Sequence, residues 1–201
     1  QEVGYGRPSG NMWTHIGSDR NKHLEGMLFD EVAADWGVGV EEMVCRVMAE
    51  ESLTCGFRGT PPTSVKVWRQ VEEDVMELMS RPDYMVGSDS IPVGGIPPPR
   101  AYGCFVRVLG RLRRRYNYPV EQVVQRLTQN PAERFGLTDR GVIAEGKFAD
   151  LVIFDAERVI DRSSFEDPQV HPEGVPWVLV NGQIAVENEA VTGVLAGEAI
   201  P

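Results

Sequence analysis

The chain has 201 residues, enough for one ordinary domain or for a domain and part of another. Its content of 42% hydrophobic and 25% charged residues is typical of a globular protein with a core. The net charge of −10 and the lack of a basic stripe argue against nucleic acids and anionic membranes as partners. No apolar run approaches the roughly 20 residues that span a bilayer.

The first residues and the cysteines bear on the origin and the setting of the chain. It begins Gln1-Glu2-Val3-Gly4, without an initiator Met and without the regions of a signal peptide, so we expect a piece cut from a longer chain. Cys45, Cys55 and Cys104 are an odd number at unrelated spacings, which disfavours a disulfide framework or a zinc cluster. We therefore expect a reducing, cytoplasmic setting.

Apolar periodicity predicts helices and short strands in the first part of the chain. Residues 1–22 are rich in Gly, Ser, Asn and Pro and are predicted to form a loop. Apolar residues at helical spacing then predict helices, and short apolar runs between them predict strands. Their alternation favours an α/β fold with a parallel sheet. The predicted helices lie near 29–36, 40–48, 71–79, 105–116 and 119–127, the last closed by Asn130-Pro131, and the predicted strands near 53–57, 64–68 and 84–87.

After about residue 137 the pattern changes from helical to short β runs. Asn181-Gly182 stands between two of these runs and predicts a hairpin with a type I′ turn. We place a domain boundary near 136–142, which gives domains 1–137 and 138–201. The second has too few strands for an independent sandwich, so we expect it to need partner strands. The predicted runs are 142–144, 151–154, 177–180 and 183–186.

Asp89 and Arg100 are the candidate functional residues from position. Asp89 follows the predicted strand 84–87 and opens a polar loop, and the carboxyl ends of parallel strands are where ligands bind. A carboxylate there can ligate a metal or act as a general base, although capping of a turn is favoured on local grounds alone. Arg100 can bind a substrate carboxylate, with pairing to a surface acid as the alternative. The three histidines, His15, His23 and His171, form no recognisable ligand pattern.

Several stretches together resemble the N-acyl-D-amino-acid deacylases, or D-aminoacylases, of the amidohydrolase superfamily. The most specific are Tyr84-Met85-Val86-Gly87-Ser88-Asp89-Ser90, Pro99-Arg100-Ala101-Tyr102-Gly103-Cys104-Phe105 and Phe165-Glu166-Asp167-Pro168. Gly146-Lys147-Phe148-Ala149-Asp150-Leu151-Val152-Ile153-Phe154-Asp155 is shared more widely among amidohydrolases. The resemblance covers about 24–195, with the motifs in the family's order. Further matching stretches are 107–110, 127–128, 130–132, 135–137, 140–143, 161–162, 178–182 and 192–193.

The resemblance implies a fold, a cofactor and a reaction. Residues up to about 137 would be the C-terminal part of a (β/α)8 TIM-type barrel, and 138–201 part of a composite β-sandwich completed by N-terminal strands. The complete enzyme would use Zn²⁺ and hydrolyse the amide bond of an N-acyl-D-amino acid. Asp89 would end the eighth strand, bind the zinc or its water and take the proton from the attacking water. Arg100 and Ser88 would contact the substrate.

Two departures from the family pattern limit what the chain can do alone. The family's other metal ligands belong to earlier segments that this sequence does not contain, so we expect the chain alone to be inactive. The family commonly has Pro-His-Pro-Arg where this chain has Pro97-Pro98-Pro99-Arg100, which puts the substrate preference in doubt. The alternatives are hydrolysis of cyclic amides and a non-catalytic structural or interaction role. A partial barrel exposes sheet edges, so we expect an oligomer or a complementing N-terminal segment.

Overall fold

The computed structural model describes residues 10–59, 64–90 and 94–200. Two compact units can be distinguished by the contacts within them. The first contains the described parts of 1–64, 90–101 and 165–169. The second contains the described parts of 65–89, 102–164 and 170–201. The expected domains 1–137 and 138–201 follow the change of sequence pattern and the family resemblance rather than contacts within the chain, and they stay a prediction.

The first unit packs two helices against a two-stranded antiparallel sheet. β1 (Met12–Ile16) pairs with β2 (Cys55–Arg58), and α1 (Phe29–Trp36) and α2 (Val40–Glu50) lie between them in the chain. Both helices confirm the predictions from periodicity, and α1 ends at Gly37, whose φ of +66° suits a residue without a Cβ. Fully or almost fully buried apolar side chains join the two layers: Trp13, Ile16, Leu24, Phe29, Val32, Ala33, Met43 and Val47.

The prediction that residues 1–22 form a loop is wrong where β1 lies. Trp13, Thr14 and Ile16 are buried, so the strand lacks the alternation of buried and exposed residues that marks a strand in a sequence. Its partner β2 is also about 40 residues away, which no local pattern reports. The predicted strand at 53–57 is confirmed in part, because β2 covers Cys55–Arg58.

The second unit contains the longer helices. α3 (Val65–Ser80) begins inside the run 64–68, where a strand was predicted, so that prediction is wrong. From Arg100 the chain is helical through α4 (Arg100–Arg107), a π-helical turn (Val108–Leu112) and α5 (Arg113–Arg115). α6 (Val120–Leu127) confirms another predicted helix, and α7 (Gln129–Arg134) follows it, so Asn130-Pro131 lies inside a helix rather than after the last one. The unit's core includes Met76, Met79, Val108, Leu109, Leu112, Val123 and Val159.

The π-helical turn packs closely on the chain near Val159. A Cβ at Gly110 would collide with the Val159 carbonyl group, so only glycine fits at this position of the turn. An extra residue in one turn widens a helix locally. Here the widened turn buries Val108, Leu109 and Leu112 together with Gly110.

The predicted strand at 84–87 is extended but has no strand partner among the described residues. The backbone N–H of Val86 instead donates to the carbonyl of Arg126, at 3.3 Å. Both sheets in the described part are antiparallel, so the parallel sheet that the alternation favoured is not formed there. A strand is defined by hydrogen bonds to a neighbouring strand. A local apolar pattern in the sequence does not show whether such a neighbour exists.

The end of the chain forms a four-stranded antiparallel sheet. The strands β3 (Leu151–Ile153), β4 (Trp177–Val180), β5 (Gln183–Glu187) and β6 (Ala190–Val191) are neighbours in that order. Asn181 and Gly182 have φ values of +48° and +77°, which confirms the predicted hairpin turn. The predicted strand at 142–144 is wrong, because its side chains are exposed and have no apolar surface to cover. No helix in the described ranges is long and apolar enough to cross a membrane.

Candidate functional site

Asp89 ends the extended segment in a left-handed backbone conformation. Its φ is +47° and its side chain is exposed, whereas Ser88 is half-buried. Aspartate and asparagine tolerate this region better than other residues with a Cβ, but it still costs free energy. The surrounding structure therefore has to hold the chain in this conformation.

Two residues of the α6–α7 region bind the backbone that leads to Asp89. Asn130 donates both amide hydrogens, through Nδ2, to the carbonyls of Pro82 and Tyr84, each at 2.8 Å. Arg126 accepts from the Val86 N–H through its own carbonyl. Each bond fixes a backbone group rather than a side chain, so the path of the segment depends on α6 and α7.

The guanidinium of Arg126 binds the backbone just before this segment, at the end of α3. It is 3% exposed, and it donates from Nε to the Met79 carbonyl at 3.0 Å and from Nη2 to the Arg81 carbonyl at 3.1 Å. Nη1 donates to the side-chain oxygen of Gln125 at 2.9 Å. The planar fork of an arginine can hold several acceptors at once, which a lysine cannot do.

Arg100 is exposed at the first position of α4. It belongs to the first compact unit, whereas Ser88 and Asp89 belong to the second. The convergence of these residues on one substrate therefore stays a prediction.

The described part of the chain contains no group of three or more His, Cys, Asp or Glu that could hold a metal ion. The histidines lie apart: His15 Nδ1 is 3.6 Å from Glu25, and the His171 ring is 5.6 Å from that of Tyr102. A zinc site needs three or four ligands. The described residues thus form no complete zinc site, and the role of Asp89 as a metal ligand stays a prediction.

A cavity of about 620 Å³ lies in the first unit. Arg58 is its cation, and its Nη1 atom is buried without a hydrogen-bond partner. The guanidinium lies 5.0 Å from the Phe165 ring, and burial lowers the pKa of Arg58, with Glu166 nearby opposing the shift. The sequence gives no sign of this residue, because Arg58 and Phe165 are far apart in the chain.

The model of the Amidohydrolase family matches residues 17–186, which is most of the chain. The chain belongs to the amidohydrolase family. The resemblance to the D-aminoacylases stated from the motifs is confirmed by relatives. D-aminoacylase of Alcaligenes xylosoxydans xylosoxydans is 35% identical over 178 residues, covering 88% of this chain and 34% of the relative. N-acyl-D-glutamate deacylase of the same organism is 36% identical, covering 78% of this chain and 30% of the relative.

Solved structures of D-aminoacylases resemble this amidohydrolase as well. A crystal structure of D-aminoacylase has a TM-score of 0.77 and 31% identity, covering 93% of this chain and 36% of its own. N-acyl-D-glutamate deacylase from Bordetella bronchiseptica, complexed with zinc and a phosphonate inhibitor, has a TM-score of 0.72, covering 88% of this chain and 34% of its own. This amidohydrolase chain thus spans about a third of the length of the relatives that it matches.

Proposed function

We propose that this chain is part of a metal-dependent amidohydrolase that removes the acyl group from N-acyl-D-amino acids. The observation that carries the proposal is the 35% identity to D-aminoacylase across 88% of the chain. The ordered motifs around Asp89 and Arg100 support it, since a distant amidohydrolase would share only the widely distributed stretch 146–155. The reaction would break the C–N amide bond by attack of a water on the acyl carbonyl.

Asp89 is the residue that we propose as the general base. An exposed carboxylate at the end of an anchored segment can take the proton from the attacking water and pass it to the leaving amine. Arg100 would bind the carboxylate of the substrate by its guanidinium fork, and Ser88 would contact the substrate beside Asp89. These roles rest on the positions of the residues in the family motif.

Zn²⁺ is the cofactor that we propose for the complete enzyme. The Bordetella bronchiseptica deacylase is described as complexed with zinc, and D-aminoacylase as having a binuclear metal centre. When bound, zinc would polarise the water and the acyl carbonyl. Asp89 would be a single ligand, because the described residues alone do not form the site. The remaining ligands would come from the two thirds of the relatives' length that this chain does not match.

The same comparison supports a proposal for the fold. Residues 1–137 would be the last part of a (β/α)8 barrel, and 138–201 would be part of a composite β-sandwich. Val152 and Val191 lie in one row of paired residues across the small sheet and are 55% and 64% exposed, which supports a missing partner layer on that face. Strands from the N-terminal part of the complete enzyme would cover them.

Hydrolysis of a cyclic amide is the second candidate function. It is favoured by the 40% identity over 58 residues to dihydroorotase of Lactobacillus acidophilus, which covers 29% of this chain. Pro98, at the place where the D-aminoacylase motif commonly has histidine, also allows a different substrate. A non-catalytic role remains the third candidate, since the described residues hold no complete metal site.

The decisive experiment uses the protein expressed from its full reading frame, with zinc analysis and a substrate panel. The panel compares N-acyl-D-amino acids with their L forms, hydantoins and dihydroorotate. We expect zinc-dependent release of D-amino acids, and a fall in kcat of at least about 100-fold for Asp89→Asn. Asp139→Asn, an exposed acid paired with Arg140, is the control and should retain the wild-type rate. Hydrolysis of cyclic amides alone, or no loss in Asp89→Asn, contradicts the proposal.

A further inference from the structure

We propose that Arg126 and Asn130 are positioning residues that hold the backbone of 79–86 and thereby set the place of Asp89. The inference rests on the proposed role of Asp89 as the general base. Neither residue was singled out by the motif as part of the chemistry. Their hydrogen bonds instead converge on the short stretch between the last turn of α3 and the extended segment before Asp89.

The first step concerns the carbonyls at the end of α3. The last carbonyls of a helix have no partner within the helix, and they are usually satisfied by a glycine turn or by water. Here the Met79 carbonyl accepts from Arg126 Nε at 3.0 Å and from the Tyr118 hydroxyl at 2.7 Å. The Arg81 carbonyl accepts from Arg126 Nη2 at 3.1 Å. Arg126 therefore satisfies two carbonyls at the end of α3 and holds the chain where it leaves the helix.

The second step concerns the charge of Arg126. Buried arginines normally pair with a carboxylate, because an unpaired buried charge is costly. The hydrogen bonds of Arg126 instead go to neutral oxygens, namely backbone carbonyls and the side chain of Gln125. The negative end of the α3 dipole lies at Met79, where it favours a cation. A neutral side chain has fewer hydrogen-bond donors than a guanidinium. The buried charge of Arg126 therefore allows one side chain to bind these carbonyls and fix the path of the backbone.

The third step connects this stretch to Asp89. Asn130 binds the Pro82 and Tyr84 carbonyls, and the Arg126 carbonyl binds the Val86 N–H, so four backbone groups from 81 to 86 are held by two neighbouring residues. Asp89 follows three residues later with its φ of +47°. A shift of residues 81–86 would therefore also move the carboxylate of Asp89. A displacement of about 1 Å from the productive geometry can cost about 100-fold in rate.

The experiment measures local amide exchange and kinetics on the same variants of the full-length protein. Asn130→Asp keeps the size of the side chain but removes both donors, and Arg126→Lys keeps the charge but removes the fork. Gln129→Glu makes the same amide-to-acid change one residue away, where the side chain bonds only to the exposed Glu133. The readouts are hydrogen–deuterium exchange of peptides covering 82–90 and of α3, the melting temperature, bound zinc, kcat and KM.

We expect Asn130→Asp to exchange at least about tenfold faster in 82–88, with exchange in α3 unchanged. We also expect kcat to fall by about 100-fold with KM changed less than about threefold, because the base moves while Arg100, which would bind the substrate carboxylate, lies outside the anchored stretch 81–86. Arg126→Lys should retain part of the wild-type rate, and Gln129→Glu all of it. Unchanged exchange in 82–88, or equally faster exchange throughout the protein, would overturn the inference. If the wild type lacks deacylase activity, the proposed function fails, while the exchange data still decide whether the two residues anchor the segment.

Discussion

Asp89 combines an exposed carboxylate with a backbone conformation that few residues tolerate. At a φ of +47° every residue with a Cβ is strained, and aspartate and asparagine are strained less than the others. The side chain itself is exposed, so its removal creates no cavity. The backbone, rather than the side chain, therefore determines which substitutions of Asp89 affect folding.

The exposed side chain and the left-handed backbone of Asp89 together predict the stability of two variants. Asp89→Asn keeps the left-handed preference and should change the free energy of unfolding by less than about 0.5 kcal/mol. Asp89→Ala should lose about 1 kcal/mol, because alanine lacks the short polar side chain whose local hydrogen bonding helps aspartate and asparagine to adopt this conformation. Urea unfolding of both variants measures the difference. Equal stabilities for the two variants would contradict the strain that we assign to Asp89.

Glu51 is a buried carboxylate held by neutral donors. It is 3% exposed and accepts from the Ser18 hydroxyl at 2.7 Å, the Ser18 N–H at 2.8 Å and Asn21 Nδ2 at 2.8 Å. The Ser18 hydroxyl bond is the largest influence and lowers the pKa of Glu51, with burial opposing and the Asn21 bond supporting the shift. The charged form is thus the one that the fold stabilises.

The direction of this shift gives a pH dependence. A carboxyl group with a lowered pKa in the folded state contributes stability above its usual pKa of 4.5, and this contribution is lost as the pH falls below that value. Glu51→Gln should be less stable than wild type at pH 7 and should lose less stability between pH 5 and about pH 3. Unfolding in urea across this range measures both effects. Glu42→Gln, on the exposed face of α2, should follow the wild-type curve, and parallel curves for Glu51→Gln and wild type would contradict the assignment.

At the scale of elements, two buried acids join the helices of the second unit to each other and to the chain between β3 and β4. Asp161 accepts from Arg107 at 3.1 Å and from Arg111 at 3.0 Å. Glu72 on α3 pairs with Arg107 at 3.4 Å, and with Arg69 and Arg115 as well. Burial is the largest single influence and raises the pKa of Glu72. The hydrogen bonds from Arg115 and Arg69, with the charges of Arg115 and Arg107, together outweigh it, so the pKa of Glu72 is lowered. Arg107 bridges the two acids and makes them one network.

Breaking this network should destabilise the fold more than breaking an exposed ion pair. Asp161→Asn leaves two arginines, each about a third exposed, facing an amide, and should lower the free energy of unfolding by about 2 kcal/mol. Asp83→Asn breaks the exposed pair with Arg81 and should cost much less, because solvent screens that pair. Urea unfolding compares the two, with ionic strength held constant. Equal costs would show that the buried network contributes no more than a surface pair.

The sequence predicts the elements whose signals are local. Helical spacing identifies α1, α2 and α6, and Asn181-Gly182 identifies its turn, because backbone geometry alone decides these features. β1 is missed because its strand partner lies about 40 residues away and its faces do not alternate. The role of Asn130 is missed because every residue has a backbone carbonyl. The identities of Pro82 and Tyr84 therefore do not indicate that Asn130 binds them. Its position after a predicted strand makes Asp89 a candidate, but only the family motif favours a catalytic role, since the local pattern favours a turn cap.

At the scale of the whole molecule, the chain exposes a considerable apolar surface. Val152 and Ile153 on the edge strand β3 are 55% and 54% exposed, and Val191 on the other edge strand, β6, is 64% exposed. Edge strands with exposed apolar side chains favour pairing with another chain. The net charge of −10 opposes such association at low salt, because like-charged molecules repel each other.

These features predict self-association of the 201-residue chain that depends on salt. We expect species larger than a monomer at about 0.15 M salt, increasing at higher ionic strength as the repulsion is screened. Ile153→Lys places a charge on the edge strand and should shift the population toward monomer, whereas Glu42→Lys, on the exposed face of α2, should not. Size-exclusion chromatography with light scattering measures this. A compact monomer at every salt concentration would contradict the prediction.

The π-helical turn at Val108–Leu112 has a consequence for tolerated changes in chain length. Each residue of an α-helix turns the chain by about 100°, so deletion of one residue from the wide turn would restore regular winding and rotate one half of the helix against the other. Arg107 precedes the turn and Arg111 lies within it, yet both bind Asp161. A one-residue deletion would leave a continuous helix but rotate one of these arginines relative to the other about the helix axis, which would strain their shared binding of Asp161. Related sequences should therefore keep the length of this turn and glycine at its centre, and vary in the identity of its other residues.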